Sequence, residues 1–310
     1  MFADRLHPGD EIRVIAPSES LTVIWPDAFD RALRFLEAEG FKVTFGAHAR
    51  EVERFDSASL AARLEDFHAA FADPNVKLIL TAIGGFNSNH LLRRLDYDLI
   101  ARNPKLLCGF SDITALLNGI YAKTGLVTYC GPHFFTFSKE YQREYTTQAL
   151  YNCMMTSEPM PLPPSPAQGR YVAVQTGTCE GIAVGGNLCT FNLLQGTPYM
   201  PDLTDKILFI EDDNIMGDVF RQEFDRNLES VLQNYNADKL RAIVLGRFDG
   251  CCKMDPYITR EMFRGMVPEN IPVIFGADFG HVEPMATFPI GGRIRIEATE
   301  TEVKMDILTH

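Results

Sequence analysis

The sequence predicts an α/β protein: a parallel sheet covered by helices on both faces, followed by a second, smaller β-rich α/β region. Three observations lead there. Strand-like and helix-like stretches alternate through the first half of the chain. The stretch 76–83 is apolar at nearly every position, as in a strand buried on both faces. Five prolines crowded into 159–166 then separate this alternation from a stretch with more strand patterns.

Taken in order, Glu11–Ala16 reads as a strand ended by the turn formers Pro17, Ser18 and Ser20. Residues 26–39 repeat apolar side chains at Phe29, Ala32, Leu33 and Leu36, one face of a helix, and Gly40 follows as its stop. Lys42–Phe45 is a second strand, 58–72 a second amphipathic helix, and 76–83 a third strand. Leu106–Cys108 is the fourth, and it runs into Gly109-Phe110-Ser111-Asp112 before a helical pattern through Leu116, Leu117 and Ile120. Proline density makes 139–170 a linker without helix, dividing the chain into 1–138, the linker, and 171–310. Beyond it, 171–175, 177–187, 206–210, 242–246 and 272–276 read as strands, 188–195 and 218–234 as helices, and 292–307 as a hairpin.

Composition excludes several functions. A formal charge of −12 argues against nucleic acid or an anionic membrane as partner, since both require a basic face. No apolar run approaches the ~18 residues of a membrane span, and the N-terminus lacks a signal-peptide core. The seven cysteines form no C-x-x-C and several lie in apolar runs, which predicts reduced thiols and a cytoplasmic protein without a metal cofactor.

Three polar residues share one placement: Ser111, Glu211 and His281 each lie just past an apolar strand. A serine hydroxyl is a weak nucleophile near neutral pH. It needs a base within hydrogen-bond reach, and an imidazole base needs an acceptor on its other nitrogen. Developing oxyanion charge needs amide donors, which the glycine loop Gly84-Gly85-Phe86 and the amide of Asp112 can supply. The same residues have plainer readings. Ser111 fits a helix N-cap, Glu211-Asp212-Asp213 a solvated strand end or metal-binding cluster, and His281 a surface histidine. His90, His133 and Asn187 are further candidates for lining a pocket, Asn187 also as an N-cap.

A run of motifs in fixed order resembles the LD-carboxypeptidase family of serine peptidases, which includes microcin C immunity peptidases. The motifs are Ala16-Pro17-Ser18, Gly84-Gly85-Phe86-Asn87-Ser88-Asn89, Gly109-Phe110-Ser111-Asp112, Gly185-Gly186-Asn187-Leu188, Phe209-Ile210-Glu211-Asp212 and Gly276–His281. The resemblance implies a flavodoxin-like N-terminal domain, a linker and a β-rich C-terminal domain, paired as a homodimer. It implies Ser111 as nucleophile, His281 as base and Glu211 as its orienting acid. Gly85 and Asp112 would form the oxyanion hole, with Gly84 and Phe86 beside the substrate and no cofactor. Ile83–Asn89, Ile120–Gly125 and Leu194–Thr197 resemble the microcin branch, which cleaves peptidyl or aminoacyl adenylates. The alternative is a murein carboxypeptidase releasing terminal D-alanine from an L,D-tetrapeptide. No cation stands between Glu211 and Arg221 to read an acidic side chain.

Overall fold

The computed structural model describes residues 1–166 and 168–310; Ala167, inside the expected linker, lies outside the described residues. Five strands of the first half of the chain form the parallel part of a six-stranded sheet: β1 (Glu11–Ile15), β2 (Lys42–Phe45), β3 (Val76–Thr81), β4 (Leu106–Gly109) and β5 (Thr128–Cys130). They run parallel in the order β2-β1-β3-β4-β5, the flavodoxin-like arrangement. Helices α1 (Pro26–Ala38), α2 (Leu60–Ala72), α3 (Tyr97–Arg102) and α4 (Thr114–Thr124) connect them. Local chemistry places their ends. Pro26 opens α1, the Ser59 hydroxyl accepts from the Ala62 amide at the start of α2, and Gly125 closes α4 at φ +71°. In α1 the buried stripe is Ala28, Ala32 and Leu36, spaced by four.

In an open sheet of this kind, ligands bind past the carboxyl ends of the strands, where the strand order reverses. Here Ser18 follows β1, Gly84 and Gly85 follow β3, and Ser111 follows β4. Three segments far apart in sequence therefore meet at one edge of the sheet.

The linker expectation needs correction. Residues Arg143–Met155 form a 13-residue helix, α5, that buries Thr146, Thr147, Leu150, Cys153 and Met154. All five prolines lie after it, so their helix-breaking effect does not reach back to 143–155. The proline-rich part itself contains the short strand β6 (Met160–Pro161).

The second sheet has eight strands. To β6 it adds β7 (Val172–Gln175), β8 (Gly177–Asn187), β9 (Lys206–Glu211), β10 (Ala242–Gly246) and β11 (Val273–Ala277). β12 (Phe288–Ile290) comes next in the chain, and β13 (Arg293–Ala298) and β14 (Val303–Thr309) complete the sheet. Its order is β6-β14-β13-β8-β9-β10-β11-β7, with β8 through β11 parallel and both flanks antiparallel. Helices α6 (Leu188–Asn192), α7 (Phe220–Leu232) and α8 (Pro256–Phe263) complete it. The helix expected over 188–195 stops at Asn192.

Two devices join the sheets. β12 leaves the second half of the chain to pair antiparallel with β5 at the edge of the first sheet. The second is α4, the helix that begins just after Ser111. Its buried Asn118 donates to the Gly185 carbonyl at 2.8 Å and accepts from the Gly185 amide at 2.9 Å, and the Thr114 hydroxyl accepts from the Asn187 amide at 3.0 Å. Among the described residues no helix is long and apolar enough to cross a membrane.

Candidate active site

Ser111 sits where β4 turns into the helical segment leading to α4. Its backbone lies in the left-handed region at φ +58°, a conformation that costs a non-glycine residue about 1–3 kcal/mol. Buried partners on the neighbouring loops hold the turn. The Asp112 carboxylate, 3% exposed, accepts from the Ser18 hydroxyl at 2.6 Å and from the Ser88 amide at 2.8 Å. The Ser88 hydroxyl donates to the Asp112 carbonyl at 2.7 Å. Ser111 is not the N-cap: Phe110 occupies that position, and the serine hydroxyl turns away to His281.

From the second sheet come Glu211, the last residue of β9, and His281, four residues past β11. His281 Nε2 lies 3.0 Å from Ser111 Oγ, and His281 Nδ1 lies 2.9 Å from Glu211 Oε2. The same carboxylate oxygen accepts the backbone amide of His281 at 3.1 Å. A carboxylate can only accept, so Nδ1 carries a proton, and in the neutral ring Nε2 faces the serine as an acceptor. Glu211 is 1% exposed, and space for its carboxylate is cleared by two glycines. A Cβ on Gly280, at φ +89°, would overlap the Glu211 carboxyl, and one on Gly246 would come within 2.6 Å of Glu211 Cβ.

Two opposed effects set the imidazole's basicity. Burial disfavours its charged form, but Glu211, with Asp213 and Asp212 nearby, outweighs that and raises its pKa to about 9. Asp213 Oδ2 stands 3.9 Å from Nε2. Asp212 is raised to about 7, by burial first and then by the Glu211 charge beside it. Its oxygens accept from Asn187 Nδ2 at 2.8 Å and the Cys189 amide at 3.1 Å. Among the described residues no group of three or more His, Cys, Asp or Glu side chains is placed to hold a metal ion.

The glycine loop crosses close to Ser111. A Cβ on Gly84 would lie 3.0 Å from Ser111 Oγ, and one on Gly85, at φ +140°, would run into the Ser18 hydroxyl and the Glu19 side chain. The Gly85 amide meets no acceptor among the described residues. Gly85, Ser111, Asp112 and Phe86 line one cavity of about 220 Å³. Asn187 lines it too and caps α6 by accepting the Thr190 amide at 3.0 Å. His133 does not line it. That ring is 2% exposed, stacks 4.3 Å from Phe110 and lies 2.7 Å from the Thr81 hydroxyl through Nδ1. Burial drives its pKa down to about 3, so it is neutral. His90 is exposed on the turn after the glycine loop. The buried supports Ser18, Thr114 and Asn118 carry no signal as site residues in the sequence, because each acts through a partner distant along the chain.

Comparison with known proteins agrees with this architecture. Residues 12–131 match the LD-carboxypeptidase N-terminal domain and residues 180–296 the LD-carboxypeptidase C-terminal domain. YocD of Bacillus subtilis (strain 168), a carboxypeptidase by name, is 44% identical over 96% of this chain and 96% of its own. The microcin C7 self-immunity protein MccF of Escherichia coli is 33% identical over 96% of this chain and 93% of its own. A solved structure of MccF in complex with aspartyl sulfamoyl adenosine superimposes with a TM-score of 0.86 at 30% identity, covering 100% of this chain and 99% of that one. An MccF-like protein from Bacillus anthracis superimposes with a TM-score of 0.97 at 44% identity, covering 100% of both chains. With both domains matched and full-length relatives on each side, the chain belongs to the LD-carboxypeptidase family and is a serine-type carboxypeptidase.

Proposed function

We propose that Ser111, His281 and Glu211 act as a catalytic triad that hydrolyses the amide bond of a peptidyl or aminoacyl nucleotide analogue of the microcin type. The observation that carries this is the unbroken hydrogen-bond chain from Ser111 Oγ through His281 to Glu211, at 3.0 and 2.9 Å. His281 Nε2 takes the serine proton as Oγ attacks the carbonyl carbon, and Glu211 steadies the imidazolium through Nδ1–H. The amides of Gly85 and Asp112 receive the oxyanion. As the tetrahedral intermediate collapses, the C–N bond breaks and His281 returns the proton to the leaving nitrogen. Water then attacks the acyl-serine by the same route, regenerating the enzyme. The preference for a nucleotide-linked substrate rests on the likeness to MccF, whose structure holds aspartyl sulfamoyl adenosine.

A second reading is removal of the terminal D-alanine from a murein L,D-tetrapeptide. It is supported by the match of both halves to LD-carboxypeptidase domains. Both readings use the same triad. The deciding experiment assays Ser111→Ala beside the wild type on aspartyl sulfamoyl adenosine and on the tetrapeptide. The variant is expected to stay folded and lose about 10³–10⁶ in kcat. Undiminished turnover by Ser111→Ala refutes the triad, and the substrate the wild type prefers decides between the readings.

A further inference from the structure

Two cavities flank the Ser111–His281 pair, and their charges differ. The first, of about 220 Å³, opens on Ser111 and carries the carboxylates Asp212, Asp213 and Glu223, with no lysine or arginine in its lining. The second, of about 420 Å³, opens on Phe110 and His281 and carries the cations Lys139 and Arg247 beside Asp249 and Glu283. Arg247 is committed to structure: its Nε donates to buried Asp278 at 2.9 Å and its Nη2 to the Glu283 carbonyl at 2.9 Å, which ties down the loop bearing His281. Lys139 stands over the Phe135 ring at 5.5 Å and pairs with Glu283 at the surface, a kind of ion pair that exchanges readily for another anion.

The reaction assigns the cavities. The acyl carbon binds Ser111 with its oxygen toward Gly85 and Asp112, all three in the first cavity. The leaving nitrogen takes its proton from His281, which lines the second. On the proposed reading of the triad, we infer that the second cavity is the leaving-group subsite, with Lys139 reading a negative charge next to the scissile nitrogen. Both substrate classes carry such a charge: a C-terminal carboxylate in the peptide, an acyl sulfamate or phosphoramidate in the nucleotide analogue. The carboxylate-lined first cavity then takes the acyl part.

The test pairs each anionic substrate with a neutral twin: tetrapeptide against its D-alaninamide form, and aspartyl sulfamoyl adenosine against the aspartyl amide of 5′-amino-5′-deoxyadenosine. Lys139→Met is expected to raise KM for the anionic member about tenfold, leaving kcat within about twofold and the neutral member unchanged. Lys139→Arg should restore the wild-type KM. Binding of the same four ligands by Ser111→Ala, with and without Lys139→Met, gives the selectivity without turnover. Equal effects on charged and neutral members, no effect on either, or no binding of any ligand overturns the assignment. A Ser111→Ala enzyme that still turns over substrate overturns the triad instead, independently of the charge selectivity.

Discussion

The two halves of the candidate site are built differently. Ser111 is placed by local backbone geometry: one strand, one strained turn at φ +58° and one helix, locked by Asp112. Glu211 and His281 are placed by long-range packing. Glu211 ends β9, in space cleared by Gly246 and Gly280, and His281 lies past β11 on a loop held by Arg247 and Asp278. The turn at Ser111 thus takes only Ser18 and Ser88 from outside its own strand and helix, whereas Glu211 and His281 need a whole folded domain to meet it. α4 packs against β8 through Asn118 and Thr114, and Ser165 of the proline-rich segment holds Asp278, on the loop that carries His281, at 2.7 and 2.9 Å.

This contrast can be broken at either half. The largest effect is expected from Glu211→Gln, which keeps the shape but can donate toward Nδ1 and favour the wrong tautomer. Loss of about 10³–10⁴ in kcat with an unchanged melting temperature is the expected outcome, and kcat falling less than tenfold would remove Glu211 from the proposed triad. On the other half, Asp112→Ala leaves the Ser18 hydroxyl and the Ser88 amide buried without an acceptor. It should cost about 1–3 kcal/mol per orphaned donor in denaturant unfolding, lowering stability as well as activity. A variant as stable as the wild type would show that the turn holds itself.

The smallest effect sharpens the electrostatics. With His281 at about 9, the neutral base is scarce at pH 7, so kcat/KM should climb as pH rises from 6 toward 9. Asp213 favours the protonated ring from 3.9 Å. Asp213→Asn should therefore lower the pKa of that rising limb, by about 0.5–1 unit, and increase the neutral fraction at pH 7. A pH–rate profile that does not move assigns the raised basicity to Glu211 and Asp212 without Asp213.

Much of this was legible in residue order. Near-continuous apolar runs mark β3 and β10, and spacing by three and four marks α1 and α7, because burial on two faces or one leaves those patterns directly in the chain. The short strands β5 and β12 escaped, since three residues carry no period. α5 escaped because the prolines that follow it dominate the local composition. Ser111, Glu211 and His281 could each be seen as a polar residue at a strand end, but Lys139 and Asp213 could not. A cation two residues from nothing catalytic, or one carboxylate among three, has no distinguishing pattern until the fold places it.

The amino-acid sequence by itself therefore determined the α/β class, the parallel first sheet and the turn that presents Ser111, because these arise from neighbouring residues and from the burial of alternating or continuous apolar faces. Only the tertiary structure decided that the imidazole of one sheet lies 3.0 Å from the hydroxyl of the other, and that Lys139 and Arg247 line the cavity on one side of that pair and not the other. Distances of that kind depend on the packing of α4 on β8 and of β12 on β5, contacts between residues too far apart in sequence to constrain one another locally.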